Sequence, residues 1–98
     1  LQANQVELIG VLTQRDILRY TPAGLPLIEC KILHESQQIE ANLARQVKVE
    51  IAALAVGELA LTLSQLALAQ SISVTGFLAQ KSQKSTHIVL HICSLVNI

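Results

Sequence analysis

Apolar and polar positions alternate along most of this chain, and the alternation is broken at a few defined points. From Gln5 to Thr13, Val6, Leu8, Gly10 and Leu12 fall on one face and Glu7, Ile9, Val11 and Thr13 on the other, the period-two signature of a half-buried strand. Gly10 in mid-strand predicts a bend, a bulge or a close backbone approach. The segment Thr21-Pro22-Ala23-Gly24-Leu25-Pro26 predicts a turn, since Pro22 fixes φ at its second position and Gly24 accepts positive φ. A second strand is predicted from Leu27 to about Ile39, with Ile28, Cys30, Ile32 and His34 opposite Glu29, Lys31, Leu33 and Glu35. The polar run 36–42 reads as a hairpin loop without a two-residue turn signature. Alternation resumes over 43–56, with Val47, Val49 and Ile51 facing away from Gln46, Lys48 and Glu50.

Gly57 interrupts the pattern. Over 58–68, Leu59, Leu63 and Leu66 with Ala60 and Ala67 recur at helical spacing among strong helix formers, which predicts a helix. Ser71 to Gln80 predicts a fourth strand, with Ile72, Val74, Gly76 and Leu78 opposite Ser73, Thr75 and Phe77. An exposed loop over 81–86 precedes a fifth strand over 87–98. Three strands, a short helix and two more strands match an all-β, five-stranded Greek-key barrel of the OB-fold type, with the helix between strands 3 and 4. Glycines inside strands one and four favour the barrel over an open meander, because closing a sheet requires tight local coiling. The expectation is a single OB-fold domain over residues 1–98.

Composition narrows the function classes. Of 98 residues, 51% are hydrophobic and 14% charged, which excludes intrinsic disorder. The longest charge-free stretch, the 22 residues from Leu59 to Gln80, is long enough for a bilayer, yet its second half alternates as a strand does. With no secretory pattern at its start, the chain reads as a soluble, cytoplasmic domain. Cys30 and Cys93 lie in apolar runs and read as small core residues. His87 and His91, four apart on a strand, would be separated by a rise of about 13 Å, too far to share one ion. No metal or cofactor is expected. No nucleophile elbow, phosphate loop, dinucleotide fingerprint or zinc-protease segment is present, and the seven carboxylates are spread at strand surfaces and near loops, so no catalytic residue is expected and an enzyme is the least supported class.

Net charge is zero, but residues 1–58 hold seven acids and five bases whereas 59–98 hold only Lys81 and Lys84. In an OB-fold the binding groove crosses strands two and three between the first and last loops. On that map Arg15 and Arg19 fall in the first loop, Lys31 on strand two, Arg45 and Lys48 on strand three, and Lys81 and Lys84 in the last loop. These cations are the candidate nucleic-acid contacts, and Tyr20, beside Arg19, is the candidate base-stacking residue. Phe77 reads as core. With two aromatics in the chain, single-strand affinity is expected to be modest and salt-sensitive.

The N-terminal run 4–12, with Asp16 and Arg19-Tyr20-Thr21-Pro22-Ala23-Gly24, resembles the start of bacterial single-stranded DNA-binding proteins. Val74-Thr75-Gly76-Phe77-Leu78-Ala79-Gln80-Lys81-Ser82 and Val89-Leu90-His91, together with the length, are more similar to primosomal replication protein N, the PriB family of that superfamily. The resemblance spans essentially the whole chain. It implies a non-catalytic OB-fold homodimer that binds single-stranded DNA, contacts the PriA helicase and promotes primosome assembly with further primosome proteins, through to DnaC/DnaT-type helicase loading. It carries DNA contact onto Arg19, Lys81 and Lys84. The family's aromatic stacking positions fall at Leu43 and Lys48, neither aromatic here, which shifts the expected binding towards backbone charge or protein partners. Two alternatives stand beside this reading: a protein–protein adaptor with weak DNA affinity, and a short general single-stranded DNA-binding protein. The apolar excess also predicts that the outer face of strand one, with Ile9 and Val11, is buried against a second copy.

Overall fold

In the computed structural model, which describes residues 2–98, strands β1 (Val6–Arg15), β2 (Arg19–Tyr20), β3 (Pro26–Glu40), β4 (Leu43–Val56), β5 (Ser71–Gln80) and β6 (Ile88–Asn97) are joined by one helix, α1 (Glu58–Ser64), between β4 and β5. The strands run in the order β1-β5-β6-β4-β3, and a β1–β3 pairing closes them into a five-stranded barrel. All pairings are antiparallel except β4–β6, where Ala53 and Leu54 lie beside Leu90 and His91 in parallel. The two-residue β2 adds to the edge of β3, with Arg19 opposite Leu27 and Tyr20 opposite Pro26. This is the predicted OB-fold barrel.

The inward residues of each alternating run meet in one core. Leu12, Ile28, Ile32, Ile72, Val74 and Leu90 are fully or almost fully buried, and Leu63 of α1 closes one end of the barrel. Cys30 lies among them, and burial, reinforced by the charge of Asp16, pushes its thiol up to about 12, so it stays protonated and unreactive. Gly10 sits where β1 crosses β3: a Cβ there would lie 2.6 Å from both Ile32 Cγ2 and the Leu33 carbonyl oxygen. The predicted turn forms as drawn, with Gly24 at φ 86° and the Gly24 amide donating to the Thr21 carbonyl at 2.8 Å.

Four expectations are corrected. The run 36–42 is no open loop: β3 and β4 stay paired to Glu40↔Leu43, and Ala41 and Asn42 make a two-residue turn with both φ positive, at 52° and 66°. Beyond the barrel both faces of this ribbon are solvated, so the β3 residues Ser36, Gln37, Gln38 and Glu40 are polar on either side, Ile39 among them is 72% exposed, and the run carries no period-two signal. The helix ends at Ser64 instead of reaching Leu68. Its last amides bond back three residues, from Gln65 to Thr62 and from Leu66 to Leu63, and the chain must then return to β1, where the Ala69 amide donates to the Leu12 carbonyl at 2.7 Å.

Cys93 is exposed, not core. Thr75 faces Ser94 while Gly76 faces Ile92, so Cys93 is the extra residue of a bulge and is left on the outer surface. Phe77 is likewise outside the barrel, 41% exposed and stacked on His91. Among the described residues no helix is long and apolar enough to cross a membrane.

Candidate nucleic-acid interface

The register of the β3–β4 ribbon assigns each side chain to a face. Lys31 pairs with Ala52, Leu33 with Glu50 and Glu35 with Lys48, all on the side opposite the buried Cys30–Ala53 pair and opposite Ile32, which is buried beside the partly buried Ile51. This outer face is the floor of a trough of about 450 Å³ lined by Glu29, Lys31, Glu50, Ala52, Lys81 and His87 together with the start of β6. A smaller hollow of about 100 Å³ shares Lys31 and Lys81 and adds Gln14 and Asp16 from the first loop region. The groove thus lies between the first and last loops, where an OB-fold binds its ligand.

Its charge is mixed. Arg19 Nη1 lies 3.3 Å from Glu29 Oε2, so the Glu29 carboxylate is already engaged by an arginine. The Thr13 hydroxyl on β1 donates to Glu50 Oε2 at 3.0 Å and fixes that carboxylate beside Lys31. Lys31 and Lys81 therefore stand in the company of Glu29 and Glu50, which offset much of their field.

The candidate residues separate into groups. Lys31 and Lys81 line the trough, Lys48 lies further along the same face opposite Glu35, and Arg19 borders it through Glu29. Lys84 is exposed in the last loop. The remaining three stand apart. Arg15 closes β1 instead of lying in the first loop, and the register shift between Leu12 and Gln14 puts it opposite Cys30, on the barrel side; its Nη1 is buried without a hydrogen-bond partner. Arg45 faces Gln38 on the other side of the ribbon, near the tip, where its Nη1 binds Glu40 at 3.0 Å. Tyr20, 64% exposed, pairs with Pro26 and so projects on the side of Ile28, away from the trough. The expectation that every cation borders one surface is corrected for Arg15 and Arg45.

Sequence reasoning passed over the trough's acids and His87. Glu29 and Lys31 share strand parity, and that alternation was the available signal for a mixed-charge floor. Among the described residues no group of three or more His, Cys, Asp or Glu side chains could hold a metal ion.

Comparison with known proteins agrees with this geometry. A family model described as a single-strand binding protein family matches residues 4–94. Replication restart protein PriB of Nitrosomonas europaea is 37% identical over 92 residues, covering 94% of this chain and 85% of that protein. The Bordetella pertussis PriB is 39% identical over 89 residues, covering 91% and 83%. The solved structure of PriB from Ralstonia solanacearum superposes with a TM-score of 0.90 at 36% identity, covering 99% of this chain and all of that one. The single-stranded DNA binding protein from Thermus aquaticus gives a TM-score of 0.77 at 26% identity, covering 98% of this chain and 50% of that one. Such a match over nearly the full length, in sequence and in barrel geometry, places the chain among binding proteins rather than enzymes: it belongs to the PriB family of replication restart proteins, within the single-stranded DNA-binding protein superfamily.

Proposed function

We propose that this protein is a single OB-fold domain that acts in the cytoplasm as an accessory factor of the replication-restart primosome. It binds single-stranded DNA along the β3–β4 trough and engages the PriA helicase and other primosome proteins. The observation that carries the reading is the trough itself: Lys31 of β3 and Lys81 of the last loop line one groove, Lys48 lies further along the same face of the ribbon, and Lys84 is exposed in the loop that begins at Lys81. Phosphate contacts supply the affinity, and each one released should appear as about 0.7 in the slope of log affinity against log salt. A fluorescent-strand titration at several salt concentrations tests this. Lys81→Ala with Lys84→Ala is expected to weaken binding and flatten the slope by about 1.4. A double variant with unchanged affinity and slope would overturn the DNA reading.

The near-neutral trough favours a second reading, in which the domain is chiefly a protein adaptor. Glu29, Glu50 and Asp16 stand against Lys31 and Lys81, with Arg19 already engaged by Glu29. Under that reading the double lysine variant keeps its DNA affinity and loses PriA binding in a pull-down.

The outer face of β1 supports a homodimer. Ile9 is 56% exposed and lies in a cross-strand row with Ser73 and Val96, the last 59% exposed. Two exposed aliphatic side chains flanking a small serine beside β1 are suited to an isologous contact. Sedimentation at micromolar concentration is expected to give twice 10.6 kDa; a clean monomer sinks the dimer.

A further inference from the structure

Among its lining residues the trough has no phenyl, phenol or indole ring and a single imidazole, that of His87, yet single-strand binders draw much of their affinity from bases stacked on rings. The structure supplies a ring pair elsewhere. On the outer face of the sheet Glu29 pairs with Leu54, Leu54 lies beside His91, and His91 pairs with Phe77, so one cross-strand row runs from the trough edge to an aromatic step. His91 and Phe77 are stacked, with ring centroids 4.9 Å apart and planes 11° from parallel. Their position two residues along β6 from Val89, which lines the trough, puts the step about 7 Å from the groove floor. Beyond Phe77 the surface dips into a hollow of about 250 Å³ whose lining includes Gln5, Thr75 and Cys93.

We propose that Phe77 and His91, with the adjoining hollow, form a second nucleobase-stacking subsite that takes a base of the same strand whose phosphates occupy the trough; the inference rests on the DNA reading of that trough. Phe77 offers an exposed ring, and the exposed carboxamide of Gln5 supplies a donor and an acceptor to a base edge beside it. Asn4 does not share this role, because both ends of its carboxamide are held by the Leu78 backbone, at 2.8 and 2.9 Å. Neither β5 nor β6 contains a charged residue, so the step contributes stacking and no phosphate attraction. A nucleobase suits this place better than a protein partner: the hollow is small, its other lining groups are amide, hydroxyl and thiol, and the ring beside it is flat and continuous with the groove.

The different physics of the two subsites separates them experimentally. Labelled oligothymidylates of about four and about twelve nucleotides, a span within the range one OB-fold covers, are titrated at several salt concentrations. Phe77→Leu keeps an apolar side chain and removes the ring. It is expected to weaken binding of the longer strand about 5- to 30-fold at every salt concentration, leaving the slope unchanged and the short strand unaffected. An unaltered affinity for the longer strand overturns the subsite, and so does a Phe77→Leu effect confined to sedimentation, which would assign the face to a second copy. Lysine variants that leave the slope unchanged remove the trough reading instead. Photocrosslinking of a bromodeoxyuridine strand to the unmodified protein provides a measurement independent of any variant's folding. Adducts are expected on Phe77 or His91, and adducts confined to residues 26–56 and 81–87 overturn the proposal.

Discussion

Gly76→Ala is expected to destabilise the barrel by about 3 kcal/mol, the upper part of the range for forcing extra volume into a packed site. For a domain of this size that corresponds to a fall in Tm of about 12–24 °C. The reason is local and geometric. A Cβ on Gly76 would overlap the carbonyl oxygen of His91 and lie 2.9 Å from the carbonyl carbon behind it. Both atoms are backbone of β6, so relief requires parting β5 from β6 where the bulge at Cys93 already interrupts the ladder. Gly10→Ala meets the Leu33 carbonyl oxygen and the Ile32 side chain at 2.6 Å, and the second of these can rotate, so its loss should be smaller. Gly24→Ala provides the contrast. Nothing lies within 4 Å of its Cβ position, and only the positive φ of 86° opposes the change, by about 1–2 kcal/mol. Thermal denaturation of the three variants should rank Gly76 as the most sensitive. A Gly76→Ala protein melting within about 2 °C of the parent would show that β6 yields there, contrary to this account.

Those glycines were among the features legible in the sequence. Gly10 and Gly76 interrupt alternating runs, and a glycine at an inward strand position signals close approach whatever the fold. β5 could be read to the residue because Ile72 and Val74 alternate with Ser71, Ser73 and Thr75 on a strand half buried and half solvated. Where both faces meet water the signal vanished. Gln37 and Gln38 carry β3 beyond the barrel, and their pairing with β4 rests on backbone hydrogen bonds and the Arg45–Glu40 ion pair near the tip. The turn at Ala41–Asn42 lacks the glycine that usually announces two positive φ values, and only Asn42 is a residue type that adopts them readily.

The candidate interface was legible by element and less so by side chain. Placing cations on strands and loops around the groove located Lys31, whose parity carries through an unbroken run of β3, and Lys81, which opens the loop after β5. It misplaced Arg15 in the first loop, because the legible alternation ends at Thr13, whereas β1 continues through a register shift between Leu12 and Gln14 that brings Arg15 opposite Cys30. It also missed the face of Arg45, which has the opposite parity from Lys48 on the same strand. Phe77 was read inward for its type and lies outward by its parity; in a chain with two aromatics, residue type was the weaker guide. The same parity that moves Phe77 out of the core makes it available to a ligand.

The helix provides the sharpest separation between pattern and packing, and the last large effect expected of a single substitution. Leu59, Leu61, Leu63, Leu66 and Leu68 all lie within the leucine-rich stretch that follows Gly57. The structure distinguishes them: Leu63 is wholly buried with Ala60, while Leu61 and Leu68 are 42% and 54% exposed. α1 packs against β3, β4 and β6 and closes one end of the barrel, so truncating Leu63 leaves a cavity bounded by strands whose pairing holds them in place. Leu63→Ala is therefore expected to cost about 2–5 kcal/mol, whereas Leu61→Ala, on the solvent side of the same helix turn, should stay within about 0.5 kcal/mol of the parent. Urea denaturation of the pair measures the difference directly. Equal losses would mean that the helix is held by its hydrophobic composition rather than by one plugging side chain. The trough lies on the outer face of β3 and β4 and Leu63 beneath their inner one, so a Leu63→Ala protein kept below its melting temperature should bind single-stranded DNA with the parent's salt slope. That result would separate the residue that holds the barrel closed from the lysines that line its groove.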